Sequence, residues 1–145
     1  TVGRGMKVAK EQIIGMVAAV DWYLSQTDEG MQTEFRHRAE RIAAALKDIP
    51  TVTHEIVVPP LANAVPHLVI RYDQTRVRKT PLEVAQALRE GTPAIELNPS
   101  TGRRGGSAGL PNTENAILVG VWMLQPGEDL LVARHLRDVL LKAAA

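Results

Sequence analysis

The 145-residue sequence has no cysteine, which excludes disulfides, thiolate metal ligands and cysteine nucleophiles. Aromatic residues make up only 3%, which leaves little material for stacking on nucleotide bases. The formal net charge of +1 favours neither nucleic acid nor a membrane surface as a partner. No apolar run approaches the roughly 20 residues of a membrane-spanning helix, and the start lacks the apolar core of a signal peptide. We therefore expect a cytoplasmic protein that binds neither nucleic acid nor membrane.

Sequence motifs for catalysis are also missing. The few serines lie outside a G-x-S-x-G elbow, and no P-loop is present. The four histidines are not at metal-ligand spacing, and they are typical of surface positions, although His54 and His67 lie where two strands of a hairpin could bring them face to face. The residues alone therefore predict no catalytic site and no metal site.

Two helices are predicted at the start of the chain. The first, over residues 10–24, is apolar nearly all round from Ile13 to Val20, so it should be buried on several sides. The second is capped by Thr27 or Asp28 and ended by Pro50. Its apolar residues recur every three or four positions, as on an amphipathic helix packed on a core: Met31, Phe35, Ala39, Ile42, Leu46 and Ile49.

The rest of the chain alternates between strand and helix patterns. The Thr80-Pro81-Leu82-Glu83 stretch is a capping box that opens a helix with Leu82, Ala85 and Leu88 inward. The nearly continuous apolar run at 116–124 predicts a central strand. The whole order predicts an α/β (α+β) fold: two N-terminal helices, then a ββαββα domain whose mostly antiparallel sheet has helices on one face. The remaining predicted elements are strands at 51–58, 67–72 and 93–97, a loop at 98–114 and a last helix from 126.

Two basic clusters are candidate binding residues. Arg103 and Arg104 lie in a glycine-rich loop, Gly102 to Gly106, whose amides and guanidiniums suit a phosphate or carboxylate. A solvated flexible loop is the competing interpretation. Arg4 and Lys7 form the second cluster, among glycines that allow close backbone approach to a ligand or to another chain.

Several stretches together resemble a known family. The lead Gly3 to Val8 and the helix start Lys10 to Gly15 are similar to the segment after the cofactor domain in pyridoxal-phosphate (PLP) enzymes related to selenocysteine synthase (L-seryl-tRNA selenium transferase). The closer relatives are described as D-glucosaminate-6-phosphate ammonia-lyases. Leu88 to Ile95, Val121 to Glu128 and the terminal helix through Leu140 also agree. Each motif is short, and their order and spacing carry the resemblance over essentially the whole chain.

The resemblance implies a C-terminal small domain of a fold-type-I PLP enzyme, a lyase or transferase acting by β-elimination on an amino acid or amino-sugar acid. Residues 1–26 would be a junction and linking helix to a missing large domain, which holds PLP and its lysine, and 27–145 the small domain. Alone the chain would be inactive. The implied partners are that large domain, a small-molecule substrate and further copies in a homo-oligomer. Arg4 and Lys7 would reach cofactor or substrate phosphate, and Arg103 and Arg104 would supply further positive charge.

One departure from the family pattern concerns substrate. Three positions after Ile95, where the synthase pattern has arginine, this sequence has Asn98, which favours the ammonia-lyase-like relatives. The alternative function is a stand-alone regulatory or small-anion-binding module using residues 102–106. If the first helix packs on a missing domain, its apolar residues should not all be covered by residues 27–145.

Overall fold

The computed structural model describes residues 7–61, 64–105 and 109–145 and contains four helices and three strands there. No helix in these ranges is long and apolar enough to cross a bilayer. The chain divides into two compact units, Thr1–Met31 and Gln32–Ala145. The elements are α1 (Lys10–Leu24), α2 (Asp28–Leu46), β1 (Thr53–Val57), β2 (His67–Arg71), α3 (Pro81–Arg89), β3 (Ala116–Gly120) and α4 (Glu128–Ala144).

Helix α1 has the predicted bounds and contains no buried residue. Five of its apolar side chains are 46–69% exposed: Ile13, Ile14, Met16, Val17 and Val20. The proposed role of residues 1–26 as a domain junction is not tested by this exposure and stays a prediction.

The three strands form one antiparallel sheet in the order β1-β2-β3. One face packs against helices through Leu68, Ile70, Ile117 and Val119. The helical side of this core comes from α2, α3 and α4, for example Ile42, Leu46, Val84, Leu88, Leu136 and Leu140. The opposite face carries a smaller cluster of Val69, Ala116 and Leu118. The predicted α+β class and the one-sided helix layer are therefore confirmed.

The predicted strand at 93–97 is wrong, and the sheet in the described part of the chain has three strands. Proline at 93 has no amide hydrogen to give a ladder. The amide of Ile95 instead donates to the carbonyl of Leu88, at 3.0 Å. The prediction that β3 is central is also wrong, since β3 lies at the sheet edge and ends at Gly120 rather than 124. The residues of β3 are apolar on both sides of the strand because both faces of the sheet are covered.

The helix termini follow the sequence signals in part. Thr27 caps α2 by accepting a 3.0 Å hydrogen bond from the amide of Gly30, but the helix ends at Leu46, before Pro50. The Thr80–Glu83 capping box of α3 is confirmed. Leu82 was predicted to point inward and is 50% exposed, because Pro81, Val84 and Leu88 form the buried stripe of α3 instead.

His54 and His67 do not face each other across the hairpin, and the expectation that His67 lies at the surface is wrong. In the antiparallel register His54 lies opposite Ile70, and His67 lies opposite Val57. The offset places the two imidazoles on different faces of the sheet, since side chains alternate along a strand. His67 is buried and its Nδ1 lies 2.8 Å from the carbonyl of Val65.

Candidate functional site

A groove of about 400 Å³ lies between the segment that follows α3 and the segment that follows β3. We call it the 95–124 groove. It is built within the second compact unit, and its walls are mainly apolar. Ligand sites are typically concave and apolar with a few polar groups that fix orientation. The residues used below are Glu96, Leu97, Asn98, Trp122, Met123 and Leu124.

Asn98 is a polar residue of the groove wall that is held through both its backbone and its side chain. Its backbone amide donates to the Leu118 carbonyl at 3.2 Å, and its backbone carbonyl accepts from the Thr101 amide at 2.9 Å. Its side-chain Oδ1 accepts from the amide of Ser100 at 2.9 Å, which is an Asx turn. Backbone and side chain are thus held by β3 and by the following turn.

Trp122 and Met123 form the opposite apolar wall. Strand β3 ends at Gly120, and the next residues form a turn, which brings these two side chains to the surface. Trp122 is 42% and Met123 69% exposed. The indole lies against Gly120, where an added Cβ would be 3.7 Å from Nε1 of Trp122. A methyl group at position 120 would therefore make ordinary van der Waals contact with the ring.

The charges at the groove rim are compensated. Glu96 receives two hydrogen bonds from Arg89, Nε to Oε2 at 2.7 Å and NH2 to Oε1 at 2.6 Å. Arg89 lowers the pKa of the Glu96 carboxyl through these bonds. Among the residues lining the groove there is no lysine or arginine.

A network from α2 supports the segment after β3. Arg38 donates from Nη1 to the carbonyl of Leu124 and from Nε to Glu34 at 2.9 Å, and its Cζ lies 5.6 Å from the centroid of the Phe35 ring. Its hydrogen bond lowers the pKa of Glu34. Because Leu124 belongs to the groove wall, Arg38 connects the wall to the helix core.

A second arginine anchors the start of α4. Arg41 pairs with Asp129, a residue only 1% exposed in the first turn of α4. The hydrogen bond to Asp129 raises the pKa of Arg41. An acidic residue at this position also suits the positive end of the helix dipole.

Arg103 and Arg104, predicted from the sequence as one basic cluster, lie in different surroundings. Arg104 lies 3.6 Å from the carboxylate of Glu114 and is 87% exposed. Arg103 lines a separate cavity of about 100 Å³, which shares Glu96 to Pro99 with the 95–124 groove. Lys7 is exposed, and Arg4 lies outside the described residues. Of the 102–106 loop, Gly106 also lies outside them. The roles of these residues stay predictions.

The groove itself was missed by the sequence reasoning. The apolar run 116–124 predicts a single strand and does not indicate that Trp122 and Met123 emerge beyond Gly120. Asn98 differs from the family pattern only in lacking a charge, which does not indicate a groove. The available signal is a tryptophan and a methionine two and three positions after a glycine that closes a strand. Across the described ranges no cluster of three or more histidine and acidic side chains suits a metal ion.

Comparisons with known proteins identify the fold but not the family. No known protein family matches the sequence. The chain has the fold of part of a solved structure, that of D-glucosaminate-6-phosphate ammonia-lyase, with a TM-score of 0.69 and 20% identity. The match covers 98% of this chain and 35% of that one.

A curated protein from Streptomyces sp, 5'-C-glycyluridine monooxygenase-decarboxylase, is 26% identical over 96 residues. The match covers 66% of this chain and 24% of that protein. The chain thus spans about a third of the solved structure and about a quarter of the curated relative.

Proposed function

We propose that this chain is the small domain of a PLP-dependent lyase or transferase that acts on an amino acid or amino-sugar acid. The observation that carries the proposal is the fold match, which takes in 98% of this chain and only 35% of an ammonia-lyase. The sequence motifs that resemble such enzymes lie across the same length of chain. The elimination chemistry named for that relative is therefore the best-supported reaction for the whole enzyme.

The described residues suit a position beside the cofactor and do not suit binding of the cofactor itself. The 95–124 groove has no cation to bind the PLP phosphate. When bound, PLP would supply an electron sink for carbanion chemistry. The groove of this chain would bind part of the substrate, exclude water there and orient it through Asn98. We assign retention of the phosphate and the Schiff-base lysine to a separate large domain.

The first compact unit supports the existence of such a domain. Apolar helix side chains that are 46–69% exposed favour a partner surface, because covering them removes apolar area from water. We propose that residues 1–26 connect the two domains, with Arg4 and Lys7 near the cofactor or substrate phosphate. Arg103 and Arg104 are secondary candidates for substrate charge. Assembly into homo-oligomers and a cytoplasmic location belong to the same proposal.

Ammonia release tests this function. The 145-residue chain, mixed with PLP and D-glucosaminate 6-phosphate, should release none. Material containing this chain, isolated from its natural source with an antibody against α4, should release ammonia when PLP is supplied. The control is the same material after removal of PLP by dialysis against hydroxylamine.

Two results would contradict the proposal. Ammonia release by the 145-residue chain alone would show that no other domain is needed. Isolated material that neither binds PLP nor reacts with any amino acid or amino-sugar acid in a substrate panel would refute the enzyme class.

A further inference from the structure

The small cavity beside the 95–124 groove is lined by more positive than negative side chains. Its volume is about 100 Å³, and it shares residues 96–99 with the groove wall. The charged residues that line it are Arg89, Arg103 and Glu96. Arg89 donates to both oxygens of the Glu96 carboxylate, at 2.7 and 2.6 Å, and to Gln86 at 3.3 Å. The lining therefore contains no carboxylate that could neutralise the second arginine.

The backbone of Arg103 is held in place, whereas its guanidinium has no partner. The Arg103 amide donates to the Ser100 carbonyl at 3.2 Å. The preceding residue, Gly102, adopts a φ of 67°, and its amide donates to the Ala116 carbonyl at 3.0 Å, which attaches the turn to β3. Among the residues that the structure describes, none forms a hydrogen bond or an ion pair with the Arg103 guanidinium. This side chain can bind a ligand at the cavity without breaking a contact within the described chain.

Arg104, the next residue, has different surroundings. Its Nε lies 3.6 Å from the Glu114 carboxylate, its side chain is 87% exposed, and it does not line the cavity. The two adjacent arginines therefore carry the same charge but differ in their access to the cavity.

The charge and the size of the cavity define the ligand group. A guanidinium presents parallel N–H donors that match two oxygens of a carboxylate or a phosphate. Sites for complete ligands usually enclose roughly 300–1,000 Å³. A cavity of about 100 Å³ takes one such group, and the rest of the ligand would extend into the neighbouring groove of about 400 Å³.

We propose that this cavity binds an oxyanionic group of the substrate, a carboxylate or a phosphate, and that Arg103 is the residue that binds it. The inference rests on the proposed function, because it assigns the charged end of the substrate to the cavity and the rest to the groove. Arg103 is exposed, so water and salt screen the attraction. Binding to this chain alone is therefore weak and decreases with ionic strength.

Three small probes test the charge preference. Acetate, methyl phosphate and acetamide are titrated into the 145-residue chain at constant ionic strength, maintained with sodium chloride. The NMR signals of the Arg103 Nε–H and of the backbone amides around the cavity are followed. At least one of the two anions should shift these signals to saturation, whereas acetamide, the neutral analogue of acetate, should not. Saturation by one anion alone identifies the group as a carboxylate or as a phosphate.

Two substitutions should change the affinity in opposite directions. Arg103→Gln removes the guanidinium, and the anion should bind at least about fivefold more weakly, with a smaller loss in Arg103→Lys. Glu96→Gln removes the carboxylate that neutralises Arg89, and the anion should bind at least about threefold more tightly. The backbone amides report on binding in both variants.

Arg104→Gln is the matched control. It removes the same charge from the neighbouring position, and Arg104 does not line the cavity. The anion affinity should change by less than about twofold, because a screened charge outside the site contributes little.

Three outcomes would overturn the inference: no saturable shift with either anion, acetamide binding as tightly as acetate, or equal losses in Arg103→Gln and Arg104→Gln. None of these measurements contains PLP. A failure here is therefore distinct from a failure of the proposed function, which is measured by ammonia release.

Discussion

The hydroxyl of Thr101 forms hydrogen bonds with the Leu118 backbone at the edge of β3, where a neighbouring strand would otherwise form them. Thr101 Oγ1 accepts from the Leu118 amide at 3.1 Å and donates to the Leu118 carbonyl at 3.2 Å. One side chain thus bonds both backbone groups at the buried edge of β3, and the Leu118 carbonyl accepts a second hydrogen bond from the Asn98 backbone amide at 3.2 Å. The turn that supplies Thr101 also holds Asn98 in the groove wall, which links the stability of this edge to the groove.

Replacing Thr101 with valine should destabilise the fold. Valine keeps the shape but leaves the Leu118 amide unpaired in a residue that is 0% exposed, whereas the Leu118 carbonyl keeps its hydrogen bond from the Asn98 backbone amide. Buried unpaired groups cost about 1–3 kcal/mol. Urea unfolding followed by circular dichroism measures the change. Thr101→Ser, which keeps the hydroxyl, should lose clearly less, and equal losses in the two variants would exclude the hydrogen-bond explanation.

Gly102→Ala should destabilise more than Gly105→Ala. Both glycines have positive φ, 67° and 82° respectively, so each alanine bears a conformational cost of about 1 kcal/mol. At Gly102 a Cβ would also lie 2.8 Å from Cγ and 3.2 Å from the backbone N of Leu82, whereas at Gly105 it meets nothing within 4 Å. We expect an extra loss of about 1 kcal/mol at Gly102 in urea unfolding. Equal losses would contradict the close contact.

Removing Arg41 should destabilise the fold, because the buried Asp129 carboxylate then lacks a partner. Arg41→Gln leaves Asp129 without its ion-pair partner, and we expect a loss of about 2 kcal/mol. The value is at the low end for a buried pair because the Arg41 side chain is 40% exposed. The control is Arg36→Gln on the exposed face of α2, which should change thermal or urea stability by under about 0.5 kcal/mol. A loss for Arg41→Gln as small as for the control would contradict this prediction.

The ion pair at the groove rim should depend on pH. Arg89 lowers the pKa of Glu96 below its ordinary 4.5, so the pair contributes stability above that pH. This contribution is lost as the pH falls through the lowered value, because the carboxylate then binds a proton. Carboxyl ¹³C NMR should give Glu96 a midpoint below 4.5, returning toward it in Arg89→Gln. A midpoint unaffected by that substitution would remove Arg89 as the cause.

Sequence patterns identified the helices well because local signals defined them. The capping box at Thr80 and the apolar spacing on α2 depend on residues three or four positions apart. The sheet class also followed from the order of elements. These features need no knowledge of distant contacts.

The groove and the sheet edge were not predictable in the same way. Leu118 is satisfied by Thr101, 17 residues earlier, through a side chain rather than a strand. The emergence of Trp122 depends on where β3 stops, and an apolar run does not mark that residue. Arg103 and Arg104, adjacent in sequence, belong to different surroundings, one at a cavity and the other beside Glu114. Each of these outcomes is set by tertiary contacts.

The location of covalently bound PLP tests the central claim most directly. Material containing this chain, isolated from its natural source, is reduced with borohydride, digested and analysed by mass spectrometry. The account predicts a pyridoxyl label on a lysine outside residues 1–145. A label on a lysine of this chain, such as Lys7 or Lys79, or the absence of bound PLP, would contradict it.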